Sequence, residues 1–532
     1  MSKQVKRAER TVYPLKELPS FQDKQIEFNS VAEIITTRAR EIPEKTYVYY
    51  YDQSITYAQI NTRANQVAAY LKEMGVSKGD VVQSMVLNSP EVYYTMFGAQ
   101  KLGAVAGAIN YMLKGPEIAH VLDDAKPRVV FVSSDFMKDF AEGYNQASNK
   151  PVVVEVDTGE EHGTTVAQRK LVQILAEYPS EEMLVPQNPD DPYMLLYSSG
   201  TTGRPKGILL SNKGQLAVCK DLAHTGALTS EDLVLIVLPM FHTNPLCVWT
   251  YPMAFLGASV CIRRSFSPDD FWPPILDYGV TIAMGVPTMY HYVYNSVDPD
   301  TIDRSRLKLR YAFAGASPMP VELIDAFNDK FNVEIVDGYG LTEATGVSSN
   351  NHGVPTKPGS IGVVKESQEM EIMDDDNKIL PPGEVGEICI KGDPVMIGYL
   401  NRPEATKEAI QNGWLHTGDM GYMDEEGYFY IVGRKKEMIN RGGENIYPRE
   451  IEIQLEAHPK VNQVVVLGTP DQSLGERVKA CIILTEEGAL TEEDVIEYLK
   501  DKIARYKIPE IVEFHSEFPL NSTGKIMKDR LR

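Results

Sequence analysis

Apolar positions along the chain alternate between two spacings. Val31, Ile34 and Ile35, then Ile60, Ala64, Val67, Ala68 and Leu71, recur at three- and four-residue steps and predict helices within 28–75. Mostly apolar runs at Val81–Leu87, Ala104–Ile109, Val129–Ser133 and Val152–Val156 predict strands, and Tyr93–Leu102 predicts a helix. Strand and helix alternate to about residue 336, the pattern of a largely parallel α/β sheet. From about 355 the texture changes. Pro355, Pro358, Gly359, Pro381, Pro382 and Gly383 punctuate short β segments at Met370–Met373, Glu387–Lys391 and Tyr428–Val432, which predict a small barrel or an antiparallel addition. After Gly433 the pattern is mixed again, with strands at Val464–Leu467 and Lys479–Leu484. Thr491 and Asp494 form a capping box that opens a helix with Val495, Ile496, Leu499 and Ile503 on one face. This last stretch is long enough for a small separate domain.

Composition narrows the class. The 532 residues, 43% hydrophobic and 24% charged, are those of a soluble globular protein of more than one domain. A net charge of −21 argues against nucleic-acid binding by bulk electrostatics. Five cysteines without regular spacing fit a reduced compartment, with Cys219 and Cys261 in apolar, core-like surroundings. The basic N-terminus (Lys3, Lys6, Arg7, Arg10) is not followed by a signal-type apolar core. No window reaches the length of about eighteen apolar residues that a span needs, and the run Leu233–Met240 is broken by Pro239. A cytoplasmic protein is expected, with a peripheral membrane contact left open. The oligomeric state is not legible.

The most informative chemistry lies at 197–212. An apolar run from Tyr193 to Tyr197 and another at Ile208–Leu210 flank a loop of hydroxyls, glycines and two cations. Ser198, Ser199, Thr201 and Thr202 offer short donors, and Gly200, Gly203 and Gly207 allow close backbone approach. Arg204 and Lys206 add positive charge, as a polyphosphate cradle requires. It is not a Walker loop, because Lys206 precedes Gly207 and no hydroxyl follows at the magnesium position.

Further motifs follow. Apolar Val333–Val336 leads into Asp337-Gly338-Tyr339-Gly340-Leu341-Thr342-Glu343, an aromatic between glycines and then a hydroxyl and a carboxylate. Beside ATP, such a carboxylate suits magnesium, since hard oxygens suit that ion. Asp419 ends a segment that begins at Gly413 and is expected at a loop tip, where a carboxylate can accept two ribose hydroxyls. Arg434-Lys435-Lys436 follows the last strand of that region. Arg441–Glu450 is a glycine-rich turn into a helix, and Pro519–Lys525 places a lysine on a glycine-bearing loop near the terminus.

Together these segments closely resemble the adenylate-forming superfamily of acyl-CoA synthetases, peptide-synthetase adenylation domains and beetle luciferase, over about residues 30 to 530. The resemblance implies an α/β fold with a large N-terminal domain (1–433) of doubly wound, mostly parallel sheets plus a small β-barrel. It also implies a hinge at 434–436 and a small mobile α+β C-terminal lid (437–532). It assigns Tyr339 and the segment Gly315, Ala316, Ser317 and Pro318 to the two walls around adenine, and Asp337, with Gly338, to the adenine amino group. Thr342 meets phosphate, Glu343 holds Mg2+, Asp419 takes ribose, and Arg434 takes ribose or phosphate. Lys436 is the hinge, Gly443 lines the pantetheine tunnel, and Lys525 is the adenylation lysine.

The chemistry so implied runs in two steps. Attack of a carboxylate on the α-phosphorus of ATP gives an acyl-adenylate and pyrophosphate, and coenzyme A then displaces AMP. Charge neutralisation falls to Mg2+ on Glu343, to Lys525 and to the 198–206 loop with Lys206.

The acyl side is read from Pro239-Met240-Phe241-His242-Thr243-Asn244-Pro245. Amino-acid-activating relatives place an aspartate near here, and this chain has none, which disfavours an α-amino acid. His242 matches a gating position, and Trp249, Met284, Gly285, Pro287, Gly338 and Val347 are expected to wall an apolar pocket. A medium- or long-chain fatty acid, or another apolar monocarboxylate, is the first expectation. Alternatives are a protein that loads an acyl group onto a carrier thiol, a luciferase-like oxygenase and a nucleotide-binding regulator without catalysis. The last is disfavoured because Lys206, Glu343, Asp419, Arg434 and Lys525 are all present.

Overall fold

The computed structural model describes residues 28–157, 165–198, 205–225, 228–317, 319–520 and 526–532. Two large sheets carry the N-terminal part. One has nine strands, of which Ile335–Tyr339, Tyr311–Ala314, Ile282–Gly285, Leu233–Ile236, Ser259–Ile262 and Thr46–Tyr50 lie side by side and parallel. The other has eight strands, with Pro192–Ser198, Val105–Ala108, Val81–Met85, Val129–Ser133, Val152–Val156 and Arg169–Lys170 parallel in that order. Both sheets carry antiparallel edge additions, so the expected doubly wound, mostly parallel architecture is observed. Strands buried on both faces explain why these runs lack polar alternation: all five residues of Val129–Ser133 are buried. One continuous core joins the sheets through Tyr47, Tyr57, Phe97, Trp249 and Tyr251, each no more than 1% exposed.

Of the two forms expected for the region from 368 to 434, a small barrel or an antiparallel addition, the second is observed. Its strands Gln368–Met373, Gly386–Gly392, Ile410–Gln411, Trp414–Met423 and Phe429–Arg434 form an open antiparallel sheet, not a closed barrel. The ten-residue strand Trp414–Met423 shares its outer edge between Ile410–Gln411 and Phe429–Arg434, while Gln368–Met373 pairs only with Gly386–Gly392 among these strands. The sheet therefore ends before it can meet itself.

Beyond Arg434 a separate core forms around Ile439, Ile451, Val466, Val478 and Ile482. It belongs to a sheet of strands Ile439–Arg441, Glu444–Ile446, Val461–Asp471, Gly475–Leu484 and Ile511–Phe514. The capping box is present: Thr491 Oγ1 accepts from the Asp494 amide at 3.2 Å, and Asp494 Oδ2 accepts from the Thr491 amide at 2.9 Å. Helix Glu492–Leu499 buries Val495 and Leu499 and stops before Ile503.

Candidate active site

The site gathers at the carboxyl ends of parallel strands, where ligands of open α/β sheets bind. Gly285, Ala314 and Asp337 are register neighbours there. Gly338 must lack a side chain, because a Cβ would lie 2.6 Å from the Phe313 ring. The strand then turns tightly. A Cβ on Gly340 would stand 2.0 Å from the Gly346 carbonyl oxygen, so this turn accepts only glycine. The turn presents Thr342 and Glu343 on a short 3-10 segment, Thr342–Ala344.

Tyr339 is buried and donates its hydroxyl to Asp419 Oδ2 at 2.7 Å. Arg434 Nε lies 2.9 Å from Asp419 Oδ1. The two residues are register partners, so the last strand of the open sheet supplies the cation. Asp419 is not at a loop tip as expected. It sits inside strand Trp414–Met423, just before a bulge between Met420 and Gly421. The alternation of that strand is blurred by Gly418 and Gly421, which hid it in the sequence.

Glu343 accepts from the Tyr399 hydroxyl at 3.0 Å, and the Lys206 ammonium lies 5.2 Å from the centre of the Tyr399 ring. Tyr399 arrives by strand pairing, since Gly398–Tyr399 runs antiparallel to Lys206–Ser211. Thr342 and Thr243 share a hydroxyl–hydroxyl hydrogen bond of 2.6 Å. Burial pushes the Glu343 carboxyl above its ordinary range, against the pull of the Tyr399 hydrogen bond and of Arg434. Burial likewise drives Asp337 up to about 7, although its Oδ1 accepts from the Gly338 amide at 2.9 Å. Ala316, on the opposite wall, adopts φ 70°, a strained conformation of the kind held at ligand sites.

Beyond Arg434 the linker is anchored to the C-terminal core. Lys528 bonds Glu437 at 2.8 Å and approaches Glu452 to 3.7 Å, and Leu520 and Ile526 form an isolated antiparallel bridge. Lys435 pairs with Asp375 at 2.7 Å and Glu387 at 3.4 Å. Glu387 also holds His416 Nδ1 at 3.2 Å. These groups, with Lys206 and Tyr399, line a polar cavity of about 340 Å³.

Residues 35–400 match the model of the AMP-binding enzyme family, and 450–525 match that of the AMP-binding enzyme C-terminal domain. The chain belongs to the AMP-binding enzyme family.

Its relatives within this family are carboxylate–CoA ligases of varied acids. It is 35% identical to the long-chain-fatty-acid–CoA ligase FadD13 of Mycobacterium tuberculosis, over 90% of this chain and 93% of that protein. It is 33% identical to the crotonobetaine/carnitine–CoA ligase of Salmonella typhi, over 90% and 93%. The structure of the anthranilate–CoA ligase AuaEII with anthranoyl-AMP aligns with TM-score 0.86 and 29% identity, over 96% of this chain and 98% of that one.

Within this AMP-binding enzyme the structure brings together Lys206, Gly315, Asp337, Gly338, Tyr339, Thr342, Glu343, Asp419 and Arg434 around one crevice. Ser198 sits at the mouth of the flanking hairpin, paired with Lys206. Ser199, Gly200, Thr201, Thr202, Gly203, Arg204, Pro318 and Lys525 lie outside the described residues. Gly443 is not at the crevice: it is exposed on the turn between Ile439–Arg441 and Glu444–Ile446, and a Cβ there would meet nothing within 4 Å. On the acyl side, Trp249 stands edge-on to Phe313 at 5.4 Å, Met284 and Val347 are buried, and Gly285 abuts Tyr290. Pro287 opens helix Pro287–Ser296. His242 packs on Phe241, ring centres 4.2 Å apart. Sequence reasoning missed Tyr399, Thr243 and Glu387. Only the Thr243 hydroxyl, next to His242, carried a local signal. Among the described residues no helix is long and apolar enough to cross a membrane.

Proposed function

We propose that this protein is an AMP-forming acyl-CoA synthetase. It joins a carboxylic acid to ATP, releasing pyrophosphate, and passes the acyl group from the adenylate to coenzyme A. The observation that carries the reading is the chain Tyr339–Asp419–Arg434. It sets an aromatic ring, a ribose-type acceptor and a cation around one crevice that also holds Glu343. Ligase relatives named for three unlike acids support the reaction more strongly than any one acid.

In this reading Tyr339 and Gly315–Ser317 hold adenine, Asp419 and Arg434 hold ribose, and Lys206 with the 198–204 hydroxyls holds the leaving pyrophosphate. Lys525 neutralises the charge that develops as two anions meet. Glu343 suits magnesium: it is a half-buried carboxylate whose ionised form the Tyr399 hydroxyl supports, and a single carboxylate plus substrate phosphates is a common Mg2+ site. The ion, when bound, supplies charge neutralisation. Residues 434–436 act as the hinge between the body (1–433) and the lid (437–532), and turning about them exchanges Lys525 for Gly443. The protein works in the cytoplasm.

For the acid, buried Met284, Val347 and Trp249 favour an apolar monocarboxylate, with a medium- or long-chain fatty acid first. A second reading, an acid carrying a hydrogen-bonding group, is favoured by Trp249 Nε1 and Asn244 Oδ1. Both are shielded from solvent and lack a hydrogen-bond partner among the described residues. The test is a panel of aliphatic, aryl and hydroxylated acids with ATP, Mg2+ and CoA, read by AMP release. Turnover that persists without CoA and requires a carrier protein would replace the CoA ligase with a carrier loader. Failure to release AMP with every acid would overturn the reading. Lys525→Ala should abolish adenylate formation and spare thioester formation from supplied adenylate; equal loss in both steps would remove that lysine from the chemistry.

A further inference from the structure

The C-terminal sheet carries a second cluster of reactive side chains that the adenylate chemistry does not use. Strands Gly475–Leu484 and Ile511–Phe514 run parallel, with Cys481 opposite Glu513. His515 follows two residues on, held by its amide to the Ile482 carbonyl at 2.9 Å, so its side chain falls on the same face. The Cys481 sulfur, a Glu513 carboxylate oxygen and a His515 ring nitrogen all lie within 4.8 Å of one another.

We infer that Cys481, Glu513 and His515 form a binding site for a borderline-soft divalent ion of the zinc type, separate from the magnesium used with ATP. The donor set decides the ion. A thiolate and an imidazole favour Zn2+ or Co2+, whereas Mg2+ takes oxygens. Three protein ligands plus one water complete a tetrahedron. Zinc–ligand bonds of about 2.0–2.3 Å bring donors closer than 4.8 Å, so small side-chain rotations must draw the three together.

The surroundings are already arranged for it. Glu513 divides its oxygens: Oε1 accepts from Lys479 at 2.8 Å, while Oε2 faces His515 Nε2 at 3.4 Å. Lys479 thus orients the carboxylate from outside and leaves Oε2 for the ion, as outer partners of metal ligands do. His515 Nε2 is shielded from solvent and faces Glu513 Oε2 without a well-aligned hydrogen bond. Cys481 is fully buried against Val465, Leu467, Phe518 and Leu531, while the Glu513 side chain, 45% exposed, opens the path to solvent. The ion takes the Cys481 sulfur as thiolate, so its proton is released on binding. The ion would tie the central strand to the segment that leads through the Leu520–Ile526 bridge.

The test uses the full-length protein, stripped with a chelator and titrated with Co2+. One equivalent should bind with a thiolate-to-cobalt charge-transfer absorption, persist in excess Mg2+, and be displaced by Zn2+. Cys481→Ser should abolish that absorption, and His515→Gln and Glu513→Gln should each weaken binding roughly 10-fold or more. Absence of the absorption in the unmodified protein overturns the inference. So does its survival in Cys481→Ser, or unchanged affinity in His515→Gln. If Cys481→Ser does not fold, the two substitutions at the more accessible positions decide the matter.

Discussion

Asp419 spends both of its carboxylate oxygens on partners from different parts of the chain: Oδ1 on Arg434 at 2.9 Å and Oδ2 on the Tyr339 hydroxyl at 2.7 Å. The triangle fixes ring, acceptor and cation in one unit before any nucleotide arrives. Asp419→Asn keeps the shape and removes the charge. The KM for ATP in pyrophosphate exchange should rise about 10- to 100-fold, the usual worth of a hydrogen bond to a charged group. An unchanged KM would show that ribose is held elsewhere.

Tyr399 acts on Glu343. Its hydrogen bond favours the ionised carboxylate against the effect of burial. Tyr399→Phe should therefore raise the Glu343 pKa and move the acid limb of the kcat profile to higher pH. Glu343→Gln should lower kcat about 10²- to 10³-fold without rescue by added Mg2+. A Tyr399→Phe profile that coincides with the parent would break the link.

Asp337 is held near 7 by burial, well above its ordinary value of 3.8. The sign for stability is that the unfolded state ionises first, so this carboxyl costs stability as pH rises from about 4 to 7. The sign for binding is the opposite. If Asp337 accepts from the adenine amino group, as the family resemblance implies, the ionised carboxylate is the stronger acceptor, so nucleotide affinity should climb as pH rises toward 7 and level off above it. Asp337→Asn should flatten both trends, read by thermal melts and by nucleotide titration at a series of pH values.

Lys528 clasps Glu437 beside the linker. Lys528→Ala should slow adenylate formation about 10-fold, the size of a partly buried charge-assisted bond, while transfer from supplied adenylate is retained. Equal slowing of both half-reactions would make the clasp a stability element only.

Elements whose signal is local were legible. Val129–Ser133 and Val152–Val156 match the expected bounds residue for residue, because interior strands of a parallel sheet are dense in valine and other apolar residues. The Thr491 box was legible because its two members lie three residues apart. Relationships across the chain were not. Tyr399 serves Glu343 from 56 residues away and sits in a strand of two residues, too short for any period to show. The helical stretch Asn244–Thr250 has π geometry, which shifts the 3.6-residue spacing and blurs which residues face the acyl side. The site residues that could be named from sequence owed it to resemblance, not to periodicity.

The linker has a further consequence. Upstream, ladder pairing with Asp419 pins Arg434 to strand Trp414–Met423; downstream, Lys528 holds Glu437. Between them stand Lys435, which is moored to Asp375 and Glu387, and Lys436. If the proposed hinge turns here, the turn falls on the short 3-10 segment Lys435–Glu437, whose ends are tied by the Met438 amide to the Arg434 carbonyl at 3.0 Å. A single stiffening substitution there would reach every later step of turnover without touching a reacting atom.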